Sequence, residues 1–317
     1  MARKPVRIAT RGSRLALWQA NHVAQLLRQR DPDLRVDIVT VAARGDVDRS
    51  QPLERLGGEG VFTREIQNAV IESQADVAVH SLKDLPTEPT AGLTLAAVPK
   101  RGSMFDALVL PASSGTTLRG KQSELMASLP HGARIGTGSP RRRAQLFHHR
   151  NDFCVLNVRG NVETRIAKLD SGEYEALVLA EAGLQRLGIE DRITVVLEPP
   201  LMYSAVGQGA LGIECRSDDE ELRLLLAELS DRGTRQCVLA ERRLLAALRA
   251  GCHAPLGVMT RIDSAGLTLE AVVLSNDGRQ RISAAATGRV EQPERLGDRV
   301  AAEIVRQGGD RLITEMP

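Results

Sequence analysis

Along the first 215 residues, short runs rich in β-branched and small apolar residues alternate with segments of helical period, and that alternation restricts the chain to an α/β architecture. Val6-Arg7-Ile8-Ala9-Thr10 leads into a helix through Trp18, Val23, Leu26 and Leu27, after which Val36-Asp37-Ile38-Val39 reads as the next strand. The pattern recurs at 76–80, 106–110, 133–136, 153–156 and 176–179. Residues 111–130, rich in Ser, Thr and Gly, read as a peripheral surface loop or insertion. After Cys215 the order changes to two helical stretches (218–229 and 234–249), strands at 267–274 and 281–284, and a last helix near 295–305. This order predicts a small α+β C-terminal domain. A chain of 317 residues is long enough for two or three cores of about 100 residues each.

Charge and aromatic content exclude one class of partner. The formal net charge is +2, and one Trp, two Tyr and four Phe are all the aromatic residues, so neither a global field nor a stacking platform for nucleic acid is expected. No apolar run approaches the roughly 20 residues of a bilayer crossing. Met1-Ala2-Arg3-Lys4-Pro5 lacks the pattern of a secretory signal, so the expected location is the cytoplasm. Cys154, Cys215, Cys237 and Cys252 are widely spaced with no CxxC pair, which predicts reduced thiols and no metal site.

Three strand-to-helix junctions carry arginines. The first is Thr10-Arg11-Gly12-Ser13-Arg14. In the second, Thr137-Gly138-Ser139-Pro140-Arg141-Arg142-Arg143, Ser139 is a candidate cap and Pro140 suits the first helical position. The third is Arg159-Gly160-Asn161-Val162-Glu163-Thr164-Arg165, with Asn161 as its cap. In open α/β sheets ligands bind beyond the carboxyl ends of strands, and helix N-termini there favour anions. Arginine forks match carboxylate and phosphate geometry, so these junctions point to a polyanionic ligand such as a polycarboxylate. Taken singly, each could equally be a solvated surface. The run Gly115-Thr116-Thr117-Leu118-Arg119-Gly120-Lys121 has phosphate-loop spacing, but Gln122 replaces the required Ser or Thr.

Ser81-Leu82-Lys83-Asp84-Leu85-Pro86 also follows a strand. A carboxylate there can stabilise a cationic intermediate or accept ligand N–H groups; its alternative role is to organise the turn before Pro86. Cys154 and Cys215 in strand-like segments and Cys237 in a helical run read as buried packing residues. Cys252 follows Gly251, read as a left-handed helix cap, and opens the loop Cys252-His253-Ala254-Pro255, which is expected to expose its sulfur.

Several segments recur together along the chain: Arg7-Ile8-Ala9-Thr10-Arg11, Leu15-Ala16-Leu17-Trp18-Gln19-Ala20, Arg44-Gly45-Asp46, His80-Ser81-Leu82-Lys83-Asp84-Leu85-Pro86 and Arg159-Gly160-Asn161-Val162. Ala182-Gly183-Leu184-Gln185-Arg186-Leu187-Gly188, Ala205-Val206-Gly207-Gln208-Gly209 and Gly251-Cys252-His253-Ala254-Pro255 follow. With these segments, in this order, the chain resembles the porphobilinogen deaminase family. The resemblance implies two α/β lobes of the type II periplasmic-binding-protein kind, 1–100 with 205–225 and 101–204, plus an α+β domain at 226–317. It implies a monomeric transferase that joins four porphobilinogen molecules head to tail, with loss of ammonia, into hydroxymethylbilane on a dipyrromethane cofactor. That cofactor is held by a thioether to the position of Cys252.

By the same resemblance Asp84 is the catalytic acid. Arg11, Ser13, Ser81, Lys83, Thr137, Ser139, Arg141, Arg142, Arg159, Gly160, Arg165 and Arg186 bind cofactor or substrate, with Phe62 and Gln208 near the growing chain. Arg55 and Glu59 stand in the stretch 53–61 where the family often has lysines, Ala250 stands where a second glycine is common, and Pro140 replaces an aliphatic residue. A non-catalytic two-lobed polycarboxylate-binding protein would share the lobes and the arginines, but it gives no reason for an exposed Gly-Cys loop.

Overall fold

The computed structural model describes residues 4–42, 60, 63–114, 121–251 and 254–314. The chain divides into two compact units, Met1–Gly102 with Ala210–Arg235 and Ser103–Gly209 with Gln236–Pro317. The C-terminal residues therefore share a unit with the second lobe, and the return segment of the first unit runs from Ala210 to Arg235.

The first unit is built on the sheet β2-β1-β3-β10-β4, with β1 Val6–Thr10, β2 Val36–Thr40, β3 Val77–Ser81, β4 Leu93–Ala97 and β10 Leu211–Arg216. β1 pairs in parallel with β2 and β3, whereas β10 runs antiparallel to β3 and β4. Strands covered on both faces must be apolar throughout, and Ile8, Ala9, Val77 and Ala78 are all fully buried. Helix α1 (Arg14–Arg30) buries Ala20, Val23, Ala24 and Leu27 as one helical stripe against one face. Helix α2 (Arg64–Ile71) covers the other face through Ile66, Ala69 and Val70.

The second unit repeats the plan in the order β7-β6-β8-β5-β9, with β5 Asp106–Val109, β6 Arg134–Gly136, β7 Cys154–Leu156, β8 Ala176–Ala180 and β9 Val195–Leu197. Alternation along a strand sends successive side chains to opposite faces. Leu108, Ala176 and Val178 accordingly enter one core while Ala107, Val109, Leu177 and Leu179 enter another. The stretch 111–130 is not peripheral throughout: its described part contains helix α3 (Gln122–Ser128), whose Leu125 and Met126 are buried with Leu108 and Ile135. A Ser- and Gly-rich composition hid two apolar anchors. The phosphate-loop-like run falls largely outside the described residues.

Four further helices belong to the lobes: α4 (Pro140–His149), α5 (Val162–Asp170) and α6 (Glu181–Arg186) in the second unit, and α7 (Glu220–Ala227) in the first. The C-terminal part is an antiparallel sheet of β11 (Leu256–Asp263), β12 (Gly266–Leu274) and β13 (Arg281–Gly288), with helices α8 (Arg232–Ala247), α9 (Pro293–Arg306) and α10 (Gly309–Thr314). Leu267, Leu269, Ala271 and Val273 face α8 and α9, whereas Val272 and Leu274 pack with Ala144 of α4 and Tyr203. The turn before β13 comes so close to α4 that a Cβ on Gly278 would collide with the backbone nitrogen of His148. The expected α/β class with a small α+β C-terminal part is what the chain adopts.

Candidate active site

In the first unit the carboxyl ends of β1 and β3 are neighbours, because the strands pair in parallel through Ile8–Val77 and Ala9–Ala78. β1 delivers Arg11, Gly12 and Ser13 into the start of α1. Ser13 is the cap: its Oγ accepts from the Ala16 N–H at 3.3 Å. The first turn of α1 holds no acidic residue, so its remaining N–H groups stay suited to an anion. Beside it β3 ends at Ser81, whose Oγ accepts from the Gln19 amide of α1 at 2.7 Å. The 3-10 turn Leu82–Asp84 follows, carrying half-buried Lys83 and Asp84.

This turn holds itself together without the Asp84 side chain. Leu85 N–H donates to the Leu82 carbonyl at 3.2 Å, and Leu82 is fully buried. Among the described residues no hydrogen bond or ion pair engages the Asp84 carboxylate. The turn-organising role therefore falls away, and what is left is a half-buried acid available to a ligand. Sequence reasoning missed a support nearby: buried Glu214 of β10 accepts from the Gln67 amide at 2.9 Å, tying α2 to β10, and lies 3.1 Å from the His80 imidazole of β3, whose Nε2 makes no hydrogen bond among the described residues.

In the second unit β7, β6 and β8 are adjacent and parallel, which puts three strand ends and the starts of α4, α5 and α6 on one edge at strand spacings of about 5 Å. Thr137 Oγ1 accepts from the Ser139 N–H at 3.2 Å, Ser139 caps α4, and Pro140 occupies its first turn, as expected. Asn161 caps α5, accepting from the Thr164 N–H at 2.9 Å. Gly160 has φ +112, and a Cβ there would meet Thr164 at 2.8 Å, so this bend admits only glycine. Arg159 and Arg165 stay half-buried, with Arg165 Nε donating to the Gly160 carbonyl at 2.8 Å. Arg186 donates to the Gly209 carbonyl at 2.6 Å, and desolvation draws its guanidinium down to about 10.

Arg141 and Arg142 are anchored within the protein. Both are buried and already bound to a carboxylate that sequence reasoning had placed only as a strand residue, Asp106 at the start of β5. Arg141 Nη1 lies 2.8 Å from Asp106 Oδ2, and Arg142 Nε and Nη2 lie 3.0 and 2.7 Å from Oδ1. Arg141 also donates to the Tyr203 carbonyl, and Arg142 to the Val178 carbonyl at 2.8 Å. Burial pushes the Asp106 carboxyl upward, but the two guanidiniums outweigh it and hold it far below the usual carboxylate range. Burial draws the Arg141 guanidinium down, and Arg142 adds to that against the pull of Asp106. Two guanidiniums against one carboxylate leave one net positive charge, and the buried Arg141 Nε–H has no partner among the described residues.

Gln208, expected beside the growing chain, is 1% exposed and points its amide at Asp106 Oδ1 (2.9 Å) and the Met104 carbonyl (2.8 Å). Phe62 and Cys252 lie outside the described residues. Before Cys252, α8 closes through Arg249 N–H to the Ala246 carbonyl and Ala250 N–H to the Leu245 carbonyl, with Arg249 at φ 49. The left-handed cap expected at Gly251 is thus Arg249. Cys215 is buried and pushed up to about 11 by that burial, whereas Cys154, expected inside, is exposed. β7 is a three-residue edge strand in which only Val155 turns inward.

Among the described residues no group of His, Cys, Asp and Glu could hold a metal, and no helix is long and apolar enough to cross a membrane. Residues 6–224 match the family model "Porphobilinogen deaminase, dipyromethane cofactor binding domain", and residues 235–306 match "Porphobilinogen deaminase, C-terminal domain". Porphobilinogen deaminase of Xanthomonas euvesicatoria pv. vesicatoria is 46% identical over 98% of this chain and 99% of its own. That of Xanthomonas campestris pv. campestris (strain B100) is 45% identical over the same shares. Among solved structures, the BenM effector-binding domain with its effector benzoate aligns over 74% of this chain and 92% of its own, at 16% identity and TM-score 0.43. The probable amino-acid ABC transporter extracellular-binding protein ytmK of Bacillus subtilis covers 74% and 95%, at 11% identity and TM-score 0.41.

Proposed function

This chain belongs to the porphobilinogen deaminase family, and on that premise we propose that Asp84 is its catalytic acid and Cys252 the residue that carries its cofactor. The protein is a transferase that condenses four porphobilinogen molecules head to tail, releasing ammonia, into hydroxymethylbilane on a covalently bound dipyrromethane. The non-catalytic binding alternative is not favoured. On the same reading it acts as a cytoplasmic monomer on free porphobilinogen, and a light-scattering mass of one chain checks the oligomeric part.

The basic residues of the second unit fit the cofactor. Each of its pyrrole rings carries an acetate and a propionate, so it brings several carboxylates to the protein. The buried cluster around Arg141 and Arg142 has one positive charge in surplus and an N–H unpaired among the described residues, and Arg159, Arg165 and Arg186 stand on the same strand-end edge. When bound, the dipyrromethane supplies the pyrrole carbon at which the chain is extended. Cys252 supplies the thioether sulfur: buried Cys215 is disfavoured as a thiolate, and the Gly251-Cys252-His253 motif is the family's.

Loss of ammonia from porphobilinogen leaves a positive centre on the substrate. A carboxylate about 4 Å away stabilises such a charge by about 4 kcal/mol at an effective dielectric near 20. Asp84 can do this because no protein cation already engages its carboxylate among the described residues, and it can also accept a pyrrole N–H. Arg11, Ser13 and Lys83 on the same edge attract the substrate's carboxylates. The Asp84 carboxylate, uncommitted among the described residues and beside a basic helix start, is the observation that carries this reading. Intact-protein mass with peptide mapping tests it: active protein carries a dipyrromethane adduct on Cys252. An unmodified Cys252 in protein that releases ammonia from porphobilinogen overturns it.

A further inference from the structure

We infer that Asp106 is a positioning residue, which orients the forks of Arg141 and Arg142 so that the pair, with one positive charge in surplus, accepts a single ligand carboxylate. The inference rests on the reading that these arginines hold ligand carboxylates, and it assigns a role to a residue that takes no part in that reading. Asp106 is fully buried and uses both oxygens: Oδ2 takes Arg141, while Oδ1 takes Arg142 twice and the Gln208 amide once. A fork held at Nε and Nη2 on one edge is fixed in plane.

The same cluster grips the segment that leaves the unit. Gln208 is held by Asp106 and Met104, and Arg186 Nη2 donates to the Gly209 carbonyl. Gly207 N–H donates to the buried Glu241 carboxylate at 2.8 Å, whose other oxygen accepts from Thr260 at 2.5 Å. Three of the arginines assigned to ligand carboxylates are therefore connected through Asp106 and residues 207–209. A ligand site keeps its precision only when the groups behind it are locked, and Asp106 is the common lock.

Charge alone and orientation predict opposite signs. If Asp106 only balances charge, Asp106→Asn raises the cluster from one surplus positive charge to two and tightens its hold on a polycarboxylate, while Asp106→Glu behaves as wild type. If it positions the forks, both variants weaken that hold. The experiment uses full-length protein with Asp106→Asn, Asp106→Glu and Arg142→Leu. It reads the dipyrromethane adduct occupancy by intact mass, KM and kcat for porphobilinogen, and the thermal melt. The expected result is about a tenfold loss of occupancy or a tenfold rise in KM in both Asp106 variants, with a cooperative melt kept in Asp106→Glu. Wild-type occupancy and KM in folded Asp106→Glu, or tighter binding in Asp106→Asn, overturn the inference. Loss of a cooperative melt in both overturns it too, by making the carboxylate a folding element. If Arg142→Leu itself changes neither occupancy nor KM, the underlying assignment of the arginines fails instead.

Discussion

Asp84 and Asp106 both stand on the strand-end edge of a five-stranded sheet, one in each unit, and they are used in opposite ways. Asp84 is half-buried on a 3-10 turn that closes without it. Asp106 is fully buried, and three side chains donate to it. The comparison teaches that burial and partners, more than residue type or place in the fold, decide whether a carboxylate is a reagent or a fixture. A group that must meet a transient charge has to be left without one in the resting protein. A group that orients its neighbours must be held by several donors at once.

The largest effect on stability should therefore fall on one side of this comparison. Asp106→Ala leaves two buried guanidiniums uncompensated and is expected to cost the second unit about 3–5 kcal/mol in denaturant unfolding. Asp84→Ala is expected to cost no more than about 0.5 kcal/mol. A depressed folded-state pKa supplies stability that is complete above the unfolded value and is lost as pH falls through the folded one. The stability gap between wild type and Asp106→Asn is thus flat from about pH 8 to 5 and narrows only below about pH 4. A gap that already closes at pH 6 would break the comparison.

Smaller effects sharpen it. Ser13 and Ser139 cap the first helix of each strand-end edge, so Ser13→Ala and Ser139→Ala should each cost about 1 kcal/mol, with the loss read in the unit that carries the cap. Arg249→Gly should stabilise by about 0.5–1 kcal/mol, because Arg249 is held at φ 49 where glycine is at ease. Among the cysteines, maleimide at pH 8 should label Cys154 on the edge of the second sheet and spare Cys215 in the first; equal labelling would contradict the difference in burial.

What the sequence disclosed follows the reach of the signals. Strands β1, β3, β6 and β8 and the caps Ser139 and Asn161 were legible because their causes lie within a few residues. The fixation of Arg141, Arg142 and Gln208 was not, since their shared partner Asp106 lies 35, 36 and 102 residues away. Burial on an edge strand was misjudged for Cys154 because apolar composition does not say which neighbour is missing. β11 escaped notice because Gly257 interrupts its β-branched run and its last residues are exposed. Asp84 was picked out as an acid among arginines, but only the structure shows its carboxylate unengaged among the described residues.

The most direct measurement is the rate of ammonia release from porphobilinogen by folded Asp84→Asn protein whose dipyrromethane adduct has been verified by mass. The substitution keeps size and removes charge, so the account predicts a fall in kcat of about 10³-fold or more, with the melt unchanged and KM shifted far less. A kcat within a few-fold of wild type would contradict it, since the positive centre would then be stabilised by some other group.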